Sequence, residues 1–145
     1  MNLRQLIPMT AVLLVFAVVS KGDDAKTDTE KLQGTWKLVS LEADGEQAPA
    51  EIVAKLKLVF KNNTLTFTPG EPGFTNYTFK VDPTTKPPSF DMTHADGTHK
   101  DETTKGIYSL KGDSLKICFG QANQRLKEIN SKSGQAMYVL KRDKP

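Results

Sequence analysis

Between Leu56 and Thr68 apolar and polar side chains alternate with a period of two, the chain reverses at two asparagines, and the alternation resumes. Leu56, Leu58 and Phe60 alternate with Lys57, Val59 and Lys61; after Asn62-Asn63, Leu65 and Phe67 alternate with Thr64, Thr66 and Thr68. A period of two sends successive side chains to opposite faces of a strand, so the segment predicts a hairpin with one buried face and one wet face. The pattern recurs in Tyr77, Phe79 and Val81, in Phe90 and Met92, around Tyr108 and Leu110, and in Leu115, Ile117 and Phe119. A closing segment, 136–142, buries either Tyr138 and Leu140 or Met137 and Val139. No long helical period interrupts these segments.

The first strand lies in Leu32 to Glu42, LQGTWKLVSLE, where Trp36 and Leu38 share a face and Lys37 takes the other. Val39 and Leu41 break the alternation, which predicts either a β-bulge or a second packed face. Gly34 lets the chain pass close to a neighbour, and Trp36 is large enough to plug one end of a small core. Pro49 to Lys55 is the short-helix candidate, with Pro49 suited to a first turn and Glu51 favourable beside the helix N-terminus. Eight strand candidates joined by turns, with one short helix, predict an all-β fold: a small antiparallel meander barrel over residues 32–145.

Residues 1–20 read as a secretory signal, with Arg4 ahead of an apolar run and small residues near Ser20. The run is short for a bilayer span, which needs about 20 apolar residues. The expectation is an exported protein, periplasmic or extracellular, with no stable membrane span after cleavage. Residues 21–31, KGDDAKTDTEK, are polar and aperiodic and read as a flexible N-terminal segment. Of 20 basic side chains only Arg4 lies in the leader, so 19 face 17 acidic ones in the remainder. Such a balance with scattered lysines does not predict a nucleic-acid surface. Cys118 is the only cysteine, which excludes an intramolecular disulfide.

The blocks GTWKLVSLEADG, LKLVF, TTKGIYSLKGDSLKICF and YVLKR resemble, in order, a family of uncharacterised exported domains abundant in planctomycete bacteria. The resemblance spans about Leu32 to Arg142 and implies an exported β domain without assigning it an activity. The Gly34-x-Trp36 start also looks like the first motif of lipocalins. That resemblance implies a lipocalin-like barrel in which a late basic residue packs across the tryptophan, Arg142 or Arg125 here. The chain departs from lipocalins in its short loops, missing middle motif and missing disulfide. The inward side chains already suffice to fill a narrow eight-stranded barrel, so no roomy cavity is expected.

Two chemical constellations stand against a purely structural reading. Asp91, His94, Asp96, His99, Asp101 and Glu102 concentrate possible metal ligands in one short region, and a metal-assisted hydrolase using the His94 to Glu102 segment is the alternative function. Cys118 with His94 or His99 is the one thiol and imidazole combination; outward alternation with Lys116 would bring the thiol near solvent, while the structural reading makes Cys118 a small, partly buried filler. Neither forms a complete catalytic set, and no cofactor motif is present. The leading expectation is a non-enzymatic binding domain whose partner is another protein or a small apolar molecule held at a barrel end.

Overall fold

The computed structural model describes residues 21–69, 76–120, 124–130 and 135–144, and for residues 21–25 the backbone alone. The leader, the glycine turn after Pro69 and the strand start at Phe74 lie outside the described residues. The elements run α1 (Lys21–Leu32), β1 (Gly34–Ala43), β2 (Glu46–Gln47), α2 (Ala50–Lys55), β3 (Lys57–Lys61), β4 (Thr64–Thr68), β5 (Tyr77–Asp82), β6 (Ser89–His94), β7 (Thr103–Lys111), β8 (Ser114–Phe119) and β9 (Ala136–Arg142). Strands β1 and β3 to β9 pair antiparallel with their sequence neighbours, and β1 pairs with β9 to close an eight-stranded meander barrel. Closure pairs β1 with β9, the two strands that would otherwise be edges open to another chain. The two-residue β2 is an appendix on β1, reached through a turn with positive φ at Asp44 and Gly45.

Strand β1 serves both sides of the closure. Gly34 to Lys37 pair with β3, and Trp36 to Ala43 pair with β9, with a register shift between Leu38 and Ser40. Val39 is the extra residue, turned outward and 47% exposed, and the shift returns Leu41 to the core side. In β9 the register settles the parity: Leu140 is fully buried and Tyr138 packs against the core.

The core is continuous from Leu32, Trp36 and Leu58 through Phe60, Phe79, Phe90 and Tyr108 to Leu115, Ile117 and Leu140. Phe79 stacks on Phe90 with centroids 5.7 Å apart, and Phe60 meets Phe79 edge-on at 5.1 Å. Edge-on and offset contacts suit the ring quadrupoles, so a core this rich in aromatics packs without a sandwich of like faces.

The segment read as a flexible tether is helical down to Leu32. Tertiary contacts supply what its polar composition lacks: Leu32 is fully buried, the Tyr108 hydroxyl donates to Asp28, and α1 packs against β5. Its C-terminus leads directly into the closed end of the barrel.

Cys118 is buried, as its reading as a small filler expects, and more completely than that reading had it. Its parity is outward, yet it is fully buried, because residues 124–130 lie across the outside of β7 and β8. The thiol donates to the Asn130 carbonyl at 3.3 Å, and Arg125 Nη1 donates to the Gly106 carbonyl at 2.9 Å. The described part of this connection, 124–130, has no strand.

Opposite it, inside the barrel, the Phe119 ring lies over Gly106. A Cβ at Gly106 would stand 2.7 Å from the Cys118 carbonyl oxygen and 2.8 Å from that ring. Gly106→Ala is therefore expected to destabilise by about 1–3 kcal/mol through overpacking, read from the urea midpoint. An unchanged midpoint would show that the Phe119 contact is slack.

Candidate functional site

The two barrel ends differ in how they are sealed. At one end Trp36 is wholly buried and its indole N–H donates to the Leu32 carbonyl at 2.8 Å. The Arg142 guanidinium lies 4.3 Å from the indole centroid. Arg142 also donates to the carbonyls of Gln33 and Lys31 and, through Nε, to Asp113 Oδ1 at 3.2 Å. One cation thus covers the ring and satisfies carbonyls at the end of α1. Gly34 sits at φ +111°, a conformation L side chains rarely adopt, although a Cβ there would meet only ordinary contact at 3.7 Å. Gln33 adds a reciprocal pair with the β3–β4 turn, accepting from Asn62 N at 2.7 Å and donating to Asn62 O at 2.9 Å.

Arg125, the other basic candidate, is remote from the tryptophan in its bonding. It pairs with Asp91 at 2.7 Å on the outside of the sheet. The two arginines therefore belong to different tasks, one sealing an end and one pinning the β8–β9 connection across β6 and β7.

The His94 to Glu102 segment brings its two imidazole rings to 5.7 Å between centroids, while the neighbouring carboxylates Asp91 and Asp96 are engaged elsewhere. Asp91 is held by Arg125, Asp96 accepts from the Asn76 backbone N–H at 3.2 Å, and His99 Nδ1 meets Glu102 at 3.0 Å. His94 continues the inward alternation of Phe90 and Met92, and its ring lies 4.6 Å from Tyr77. Among the described residues no group of three or more His, Cys, Asp or Glu is arranged to hold a metal ion. Cys118 gives its thiol hydrogen to the Asn130 carbonyl and not to an imidazole, and burial pushes its thiol pKa up. A raised thiol pKa disfavours the nucleophilic thiolate.

Among the described residues the opposite end is open. Leu41, Leu56, Phe67 and Tyr138 reach it from the barrel interior, and Ile52 from α2 and Pro69 complete an apolar cup of about 360 Å³. Glu51 and Lys55 stand at its rim, and Ile52 is 51% exposed. Below the cup the barrel is full: the space among Leu58, Leu65, Ile117 and Phe119 leaves no volume for a water molecule. A larger hollow of about 760 Å³ lies outside the sheet beside α1, lined by Lys26, Lys80, Asp91 and several threonines. Its polar groups are as well served by water, so the smaller cup is the better ligand site. Ile52 was not singled out by sequence reasoning; a helix without a fully buried residue is legible only once its neighbours are known.

No described helix is long and apolar enough to cross a membrane. In comparison with known proteins, residues 32–136 match the family model of a lipocalin-like domain. No curated protein and no solved structure gives a match.

Proposed function

Because the chain belongs to the lipocalin-like domain family, we propose that it is an exported, non-catalytic domain that binds a small apolar molecule at the open barrel end. The observation that carries this reading is the cup of Leu41, Ile52, Leu56, Phe67, Pro69 and Tyr138, with its floor closed by a filled core. Its volume is near the lower range of ligand pockets, about 300 Å³, so it takes a compact ligand or one end of a longer one. The resemblance of its sequence blocks to exported planctomycete domains, with the signal-like residues 1–20, supports a periplasmic or extracellular location. The scattered engagements of Asp91, Asp96, His99 and Glu102 give no support to the hydrolase alternative.

An environment-sensitive apolar dye titrated into the native protein tests the proposal. Saturable one-to-one binding is expected without loss of the β circular dichroism signal. Ile52→Glu, at an exposed rim position, is expected to weaken binding at least about tenfold, since a charge facing the apolar ligand must be desolvated. Absence of saturable binding, or binding indifferent to Ile52→Glu, removes the cup as the site.

A further inference from the structure

On the outer surface, the register of the closed sheet sets lysines side by side. Lys57 on β3 is directly opposite Lys37 on β1, and Lys37 is directly opposite Lys141 on β9. The same row continues through Ser114 on β8 to Lys111 on β7. Lys61 and Lys116, also exposed and outward by parity, flank it on β3 and β8. Like charges directly opposed across strands destabilise a sheet. Among the described residues Asp143 is the only carboxylate within ion-pair distance of the row, meeting Lys57 at 2.9 Å and Lys37 at 3.2 Å. It leaves Lys141 and Lys111 without an ion pair.

The far side of the same barrel obeys the opposite rule. There Lys80, Asp91 and Lys105 are in register across β5, β6 and β7, so a carboxylate separates the two ammonium groups, and Arg125 joins it from outside. The contrast marks the lysine row as a local departure from a charge pattern the sheet elsewhere maintains.

We infer that this row is a docking surface for a linear acidic polysaccharide, a chain bearing one carboxylate per sugar. Neighbouring strands are about 4.8 Å apart, so the row presents ammonium groups in a line at a spacing that a polymer of charged sugars can follow. The row lies on the outer face of a closed barrel, which curves away from solvent-side groups and favours an extended polymer over a small enclosed anion. Outward positions on β3, β1, β9 and β8 are Lys, Val, Thr, Ser, Glu, Met and the covered Cys118, with no aromatic ring to stack on bases. That composition disfavours single-stranded nucleic acid, which is held by stacking as well as charge. The row shares no residue with the apolar cup.

Polygalacturonate binding to the purified protein is the test. Binding is expected at low ionic strength, and raising salt from about 50 to about 200 mM should weaken it roughly 20-fold, the response for about three neutralised charges on a flexible polyanion. Lys37→Gln with Lys141→Gln should weaken it at least tenfold, while Lys80→Gln with Lys105→Gln, on the balanced side, leaves it unchanged. Lys141→Thr alone should raise the denaturation midpoint, because it removes an opposed like charge; a lowered midpoint would assign the row a structural role and overturn the inference. The inference also falls if polygalacturonate does not bind at about 50 mM salt, the low end of that salt series. It falls as well if the Lys37 and Lys141 substitutions have no effect. Tighter binding to single-stranded DNA, or to vesicles rich in anionic lipid, than to polygalacturonate would likewise overturn it.

Discussion

Trp36→Ala is expected to cost about 3–5 kcal/mol, a large share of the stability of a domain this size. The side chain is fully buried at the sealed barrel end, so truncation opens a cavity bounded by Leu32 and its neighbours in the core. It also removes the donor to the Leu32 carbonyl and the ring beneath Arg142. Those losses couple, because Arg142 bonds the carbonyls of Gln33 and Lys31 on either side of Leu32. A urea denaturation followed by circular dichroism measures the effect. Trp36→Phe separates its parts: most of the apolar volume stays while the N–H bond is lost, so a smaller cost of about 1–3 kcal/mol is expected for an unsatisfied buried carbonyl. A shift below about 1 kcal/mol for Trp36→Ala would mean that α1 and Arg142 hold the end without the indole, contrary to the cavity cost of a core aromatic.

Much of this architecture was readable from side-chain parity. The inward residues of β3, β4, β5 and β8 follow strict alternation, and each occupies the core as that alternation predicts. The bulge at Val39 was readable for a related reason: two apolar residues in the wrong phase require an extra residue if both flanking segments are to face one core. Parity failed where burial came from outside the barrel. Cys118 has outward phase, but the connection at 124–130, polar and aperiodic in sequence, folds over it through Asn130 and Arg125. Local propensity failed at α1 for the same reason, since its docking depends on Tyr108, 80 positions beyond Asp28.

The candidate sites were less legible than the fold. Sequence proximity of Asp91, His94, Asp96 and His99 suggested convergence; the two imidazole rings do meet, whereas Asp91 and Asp96 turn to Arg125 and Asn76. The cup is made from residues far apart in the chain, Leu41 and Tyr138 among them, and joins them only through closure of β1 on β9. The lysine row has the same origin. Lys57, Lys37 and Lys141 look scattered along the sequence, and registration across three strands is what aligns them.

Alkaline pH should unfold the protein through two phenols at separate places in this core. Burial pushes the Tyr108 pKa far above its ordinary value, and the hydrogen bond to Asp28 and the nearby Asp28 and Asp82 charges push the same way. Burial likewise raises the Tyr138 pKa, with Tyr77 a smaller contribution. Below about pH 10, the ordinary tyrosine pKa, both phenols are protonated in the folded and unfolded states and their contribution is fully present. Above it the unfolded phenols lose protons while the folded ones keep theirs. The unfolded state then binds fewer protons, so unfolding becomes easier as pH rises, and the contribution is lost progressively until pH passes the folded pKa. Each tyrosine contributes a slope of about 1.4 kcal/mol per pH unit, both together about 2.7, and the Cys118 thiol, whose pKa burial also raises, adds a like slope from about pH 8.5 upward. Denaturant midpoints measured from about pH 9 upward should decline on that slope beyond about pH 10. Tyr138→Phe, which removes the ionisation at the edge of the cup, should reduce the slope by about 1.4 kcal/mol per pH unit. A midpoint constant through this range would show that neither phenol is protected from ionisation, and that the Tyr108 bond to α1 opens readily in the native protein.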